Sequence, residues 1–124
     1  MARGRTGLQN PGEAEALAFL GLARRAGAVV IGVDAVKRSL GAGDLDLVVF
    51  AGDASPVQLR KVKGLAGHRG VPIRWVSMRS KLGQAIGAGP VSVAGVQRGS
   101  FSKRLLGGLA ESPPDPPEGG KLVE

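Results

Sequence analysis

The chain has 124 residues, 43% of them hydrophobic, with 17 Lys and Arg against 10 Asp and Glu, a net charge of +7. That size fits one domain with a buried core, and the lack of cysteine excludes disulfide scaffolds, thiol catalysis and thiolate metal sites. One His, one Trp, three Phe and no Tyr leave no material for a His-rich metal centre or a base-stacking aromatic sheet.

Residues 1–10 read as a flexible N-terminal tail. Asn10-Pro11-Gly12-Glu13 is a helix start, with an N-cap Asn and Pro at the first helical position. Ala16, Phe19, Leu20 and Ala23 recur at the helical period, and Gly27 stops them. Ala28 to Ile31 is a short, largely β-branched strand broken by Gly32. Val33, Val36 and Leu40 then share one helical face, while Asp34, Lys37, Arg38 and Gly41 share another. Leu45 to Phe50 reads as a mostly buried strand. Ser55-Pro56-Val57-Gln58 has the form of a capping box. It opens a helix with Leu59, Val62 and Ala66 inward and Arg60, Lys61 and Lys63 toward water. Residues 71–76 form a third strand, 77–80 a loop, and Leu82, Ala85 and Ile86 a short helix ended by Gly87. Residues 91–94 form a fourth strand. Ser100 caps a last helix carrying Phe101, Leu105 and Leu109. Five helices alternating with four strands predict an α/β fold with helices on both faces of a central sheet. The folded unit spans 11–110. Residues 111–124 are rich in Pro, Gly and acid and read as a disordered tail.

The charge is uneven. Beyond Ala110 lie four acids and one base, so residues 1–110 carry a net +10. A small domain that basic points to a polyanionic partner, a nucleic acid first. No apolar run approaches the ~18 residues of a membrane span, and no secretory signal is evident. A cytoplasmic protein with no membrane partner is expected.

Enzyme chemistry finds little support. Gly41-Ala42-Gly43 and Gly87-Ala88-Gly89 both lack the third glycine and the strand-turn-helix setting of a dinucleotide fingerprint. Asp34 and Asp53 alone among the acids sit at strand-to-helix turns, where capping is the ordinary role. His68 lies at a helix end, where it can bond terminal carbonyls. No catalytic residue, metal or cofactor is assigned; an enzyme would need a deep pocket near Asp53. Two turns carry more promise. Gly32 opens a helix whose first N–H groups are free to meet an anion or a base acceptor, with Lys37 and Arg38 one turn further on. The segment Ser77-Met78-Arg79-Ser80-Lys81 follows another strand. In a mainly same-direction sheet the two turns come together.

Leu20-Gly21-Leu22-Ala23-Arg24-Arg25-Ala26-Gly27, Gly32-Val33-Asp34-Ala35-Val36-Lys37 and Val48-Val49-Phe50-Ala51-Gly52-Asp53-Ala54-Ser55 occur in order. Val71-Pro72-Ile73 and Leu82-Gly83-Gln84-Ala85-Ile86-Gly87 follow at matching spacing. Together they resemble the L7Ae/L30e ribosomal protein family, most closely its bacterial L7Ae-like branch. The resemblance implies a three-layer α/β/α sandwich with a four-stranded mixed sheet. It also implies a non-catalytic, monomeric protein of translation. Its expected partner is kink-turn or similarly bent structured RNA, ribosomal or riboswitch. The family pattern at the second helix is a basic residue followed by Gly-x-Asn-Glu-x-x-Lys. Here Gly32 and Lys37 match, while Ile31, Asp34 and Ala35 replace the basic residue, the Asn and the Glu. The implied RNA-binding set is Gly32, Val33, Asp34, Lys37 and Arg38 in the groove at the G·A pairs, with Met78, Arg79 and Ser80 over the bulge. Ionised Asp accepts but does not donate, and Ala offers no acceptor. The departures motivate an alternative: a ribosome-associated protein-interaction module with only general RNA affinity.

Overall fold

The computed structural model describes residues 12–114. The expected helix start at Asn10-Pro11, the N-terminal tail and the acidic segment from Asp115 lie outside the described residues. The elements run α1 (Glu13–Arg25), β1 (Val29–Ile31), α2 (Val33–Gly41), β2 (Leu45–Ala51), α3 (Pro56–His68), β3 (Ile73–Val76), α4 (Arg79–Ala85), β4 (Val93–Gln97) and α5 (Phe101–Gly108). The strand order is β1-β4-β2-β3. β4 is antiparallel to both neighbours, and β2 and β3 are parallel. β1, β2 and β3 therefore point the same way, in a mixed four-stranded sheet.

β2 shows how sequence builds the layers. Its residues are buried except for Asp46, as a strand covered on both faces requires. Leu47, Val49 and Ala51 enter one core with Leu20 and Ala23 of α1, Leu82 of α4 and Leu105 of α5. Val48 and Phe50 enter the other with Val36 and Leu40 of α2 and Val62 and Ala66 of α3. Phe50 meets Trp75 of β3 edge-on, with ring centroids 5.2 Å apart. Leu45 shares the Phe50 side despite its odd offset from Val48, because the ladder with β4 shifts register between Leu45 and Leu47. The irregularity turns Asp46 outward, where its Oδ2 accepts from Gly99 N–H (3.1 Å) and Ser102 Oγ (2.9 Å).

The starts of α4 and β4 differ from expectation, each through bonds made outside the local pattern. Residues 77–80 are not all loop, since α4 opens at Arg79. Its first N–H donates to Asp53 Oδ1 at 2.7 Å, so the acceptor that caps this helix comes from the turn after β2. The last strand begins at Val93, not Val91. Val91 N–H donates instead to Arg79 O and Ala88 N–H to Gly83 O, which folds 87–91 back on α4. The capping box at Ser55 does not form, and Ser55 makes no side-chain cap. After α5, Ala110 O accepts from Trp75 N–H at 2.9 Å, and the ring of Pro114 lies against Gly52.

Two glycines on helices make opposite use of their missing side chain. A Cβ on Gly83 of α4 would strike the Gly89 carbonyl, whereas one on Gly64 of α3 would meet nothing within 4 Å. Gly83→Ala is expected to destabilise by roughly 1–3 kcal/mol, as overpacking does. Gly64→Ala should stabilise by up to about 1 kcal/mol. Thermal melts of the two variants check this, and shifts of the same sign would contradict the packing of the 87–91 segment on α4.

Candidate nucleic-acid interface

β1 ends at Gly32, which has φ +96° and ψ 160°. That conformation strains any residue with a Cβ, and it lets the chain leave the sheet edge and enter α2 at once. Gly32 N–H donates to Val93 O at 2.9 Å, and Gly32 O accepts from Val36 N–H at 3.0 Å. The Val36 bond is the first of the helix. The N–H groups of Val33, Asp34 and Ala35 have no intrahelical acceptor, and among the described residues no side chain caps them. The positive end of α2 therefore stands open to an acceptor.

The side chains around this opening are free. Val36 and Leu40 are buried as the helical period predicts, and Asp34, Lys37 and Arg38 are exposed. Among the described residues none of these three has a hydrogen-bond or ion-pair partner. Lys37 and Arg38 thus present unneutralised charge one turn from three open N–H groups. Val33 is half-buried and packs on the α2–α3 core.

Met78, Arg79 and Ser80 are exposed at the same end of the sheet, since β1 and β3 point the same way. They do not adjoin Gly32. β4 and β2 stand between, so the two groups are separated by three strand spacings, about 14 Å. Met78 is the N-cap position of α4 and is 41% exposed. Arg79 is not on a loop; its N–H and its Nε, 3.7 Å from Asp53 Oδ1, both address that carboxylate.

The residue that does adjoin Gly32 is Val93, the first of β4. Val93 O holds Gly32 N–H, and Ser92 O accepts from Ala51 N–H at 3.0 Å. Gly87, Ala88, Gly89 and Pro90 are exposed, but they fold back on α4. Strand order, which local pattern does not encode, sets Val93 beside Gly32.

Among the described residues no three His, Cys, Asp or Glu gather as a metal site, and no helix is long and apolar enough to cross a membrane. A cleft of about 360 Å³ lies at the other end of the sheet, lined by Leu40, Asp46, Arg69 and Arg98 among others. Its arginines donate to Gly41 O and Gly43 O, the carbonyls that close α2.

The chain is similar to several known proteins. RNA-binding protein YlxQ of Bacillus subtilis (strain 168) is 34% identical over 88 residues, which are 71% of this chain and 88% of that protein. A protein with unknown function from Bacillus halodurans C has a solved structure that superimposes with a TM-score of 0.73 at 34% identity, over 77% of this chain and 96% of that one. The Giardia lamblia 15.5kD RNA binding protein shares the fold, with a TM-score of 0.68 at 20% identity over 80% and 84% of the two chains. The model of one family matches residues 14–106, from α1 into α5, and the chain belongs to that family, ribosomal protein L7Ae/L30e/S12e/Gadd45.

Proposed function

We propose that the chain is a non-catalytic RNA-binding protein that takes a kink-turn or similarly bent RNA against the start of α2. The observation that carries this reading is the open N-terminus of α2: three unsatisfied N–H groups behind Gly32, flanked by partnerless Lys37 and Arg38. A ribose-phosphate backbone or a guanine edge offers the acceptors that such a surface lacks. Gly32 admits the RNA close to the chain. Lys37 reaches guanine O6 or N7, and Arg38 meets phosphate. Met78, Arg79 and Ser80 lie far enough along the sheet end to meet a displaced nucleotide, with Met78 supplying an apolar surface. The 34% identity to a protein called RNA-binding supports the same reading.

Asp34 is the discordant residue. It is exposed and partnerless beside the open N–H groups, and its charge repels phosphate unless it accepts from a guanine amino group. Ala35 adds no polar contact. These two positions favour a second reading, a ribosome-associated module that docks on protein and attracts RNA only by charge.

Titration of the full chain into a kink-turn RNA and a matched straight duplex at ~150 mM salt separates the readings. A preference for the bent RNA is expected, whereas equal and weak binding supports the protein-docking module. Lys37→Ala should weaken binding to the bent RNA at least about tenfold, or ~1.4 kcal/mol, with an unchanged melting temperature because the side chain is exposed. Undiminished affinity removes α2 as the site. Asp34→Asn should tighten binding, since it deletes a repulsive charge and adds a donor; a loss of affinity would mean that the carboxylate itself is read.

A further inference from the structure

The outer face of α3 carries charge and bare backbone that the fold does not use. Arg60, Lys61 and Lys63 fall within four residues, His68 follows, and the 13-residue helix contains no acid. All four are exposed, and among the described residues none has a partner. Elsewhere the cations divide: Arg24, Arg25, Lys37, Arg38, Lys81 and Lys103 are likewise exposed and without a partner among the described residues. Arg69, Arg74, Arg79, Arg98 and Arg104 are each held by a carbonyl or a carboxylate. A helix face that serves only solvation alternates signs, because like charges at three- and four-residue spacing repel.

Gly64 and Gly67 sit among these cations. Both are exposed, and a Cβ on either would meet nothing within 4 Å. Glycine is the poorest helix former after proline, and neither position has a packing contact or a turn that requires it. On a helix the residues four apart stack, so Arg60, Gly64 and His68 form one ridge with Gly67 beside it. The result is a strip of bare helix backbone bordered by Arg60, Lys61, Lys63 and His68. A bulky polyanion can approach its axis closely.

α2 and α3 cover the same face of the sheet and both descend from the same end of it. Lys37 and Arg38 lie one turn down α2; Arg60, Lys61 and Lys63 lie one to two turns down α3. The two helices carry a single acid, Asp34, against these five cations. The α3 cations thus lie on the same layer as the proposed RNA site, on the helix packed beside α2.

We propose that the outer face of α3 is a second RNA-contact surface, which holds the phosphodiester backbone of the duplex stem next to the bend. It rests on the reading of the α2 start as an RNA site. Contact here is with phosphate and is indifferent to base sequence. It lengthens the footprint beyond the bend and fixes which way the stem leaves the protein.

The test uses the full chain, a variant combining Arg60→Gln, Lys61→Gln and Lys63→Gln, and the variant Gly64→Gln. Each is titrated over a range of salt into a kink-turn RNA with a long stem, the same RNA with its stem cut short, and a straight duplex. Glutamine keeps helix propensity and removes like-charge repulsion, so the triple variant should melt no lower than the parent. On the long-stem RNA it is expected to lose about tenfold or more in affinity and to flatten the salt slope by about 2 to 3, the yield of three lost phosphate contacts. On the cut-stem RNA it should match the parent. Gly64→Gln should raise the melting temperature and yet weaken long-stem binding, a pairing of signs that a purely structural role does not produce. Parental affinity and slope for the triple variant on the long stem overturn the proposal, as does Gly64→Gln binding as tightly as the parent. Failure of the α2 reading looks different. The parent then shows no preference for bent over straight RNA, while a flattened slope on the straight duplex still upholds the α3 surface.

Discussion

β4 runs antiparallel between β1 and β2, and its first carbonyl, on Val93, holds the amide of Gly32. Much of the rest hangs on that hydrogen bond. It pins the end of a three-residue edge strand to one that is buried as far as Val96. It fixes the left-handed glycine at the point where the chain leaves the sheet. It aims the first turn of α2 away from the core with three N–H groups unanswered. β4 itself admits no slack. A Cβ at Gly95 would come within 2.6 Å of Leu45 and 3.1 Å of Val30, so the strand sits against the side chains of both neighbours. A slip by one residue would turn its apolar residues to the wrong layers.

The cations divide into two populations with different work. Arg69 and Arg98 answer the carbonyls that close α2, Arg74 binds Leu106 O and Ile73 O, and Arg79 ties the start of α4 to Asp53. These guanidiniums satisfy backbone groups that the elements leave exposed. Lys37, Arg38, Arg60, Lys61 and Lys63 answer nothing within the described chain. They share the α2–α3 layer, whose helices hold one acid, Asp34, whereas the opposite layer mixes signs, with Arg24, Arg25, Lys81 and Lys103 exposed and Glu13 and Glu15 on α1. Charge of one sign on one face steers a polyanion to that face before any specific contact forms.

The layers were legible because they rest on period. The spacing of Val36 and Leu40 on α2, of Leu59, Val62 and Ala66 on α3, and the near-continuous apolar run of β2 each select an inward face, and those residues are buried or packed against the core. Gly32 was legible as the break between a β-branched strand and an amphipathic helix. What stayed hidden depends on partners far along the chain. The start of α4 is set by Asp53, 26 residues upstream. The retreat of β4 to Val93 is set by the fold of 87–91 over Gly83. The distance between Gly32 and Met78 follows from strand order, which no local pattern records. The exposed α3 cations could be read from the sequence, but not that they would stand without partners while Arg69, just past the helix, found Gly41 O.

The segment after α5 passes along the open side of β3. Ala110 takes one of its amides, and Arg74 of that strand reaches across to Leu106 O and to within 4.0 Å of Glu111. At the opposite rim β1 offers three residues before Gly32 turns the chain aside. Neither rim presents a long row of idle amides, the template on which one sheet recruits another. Copies gathered at high local density along one polyanion therefore have no strand ladder through which to fuse, and the crowding that a charged scaffold imposes does not by itself seed aggregation.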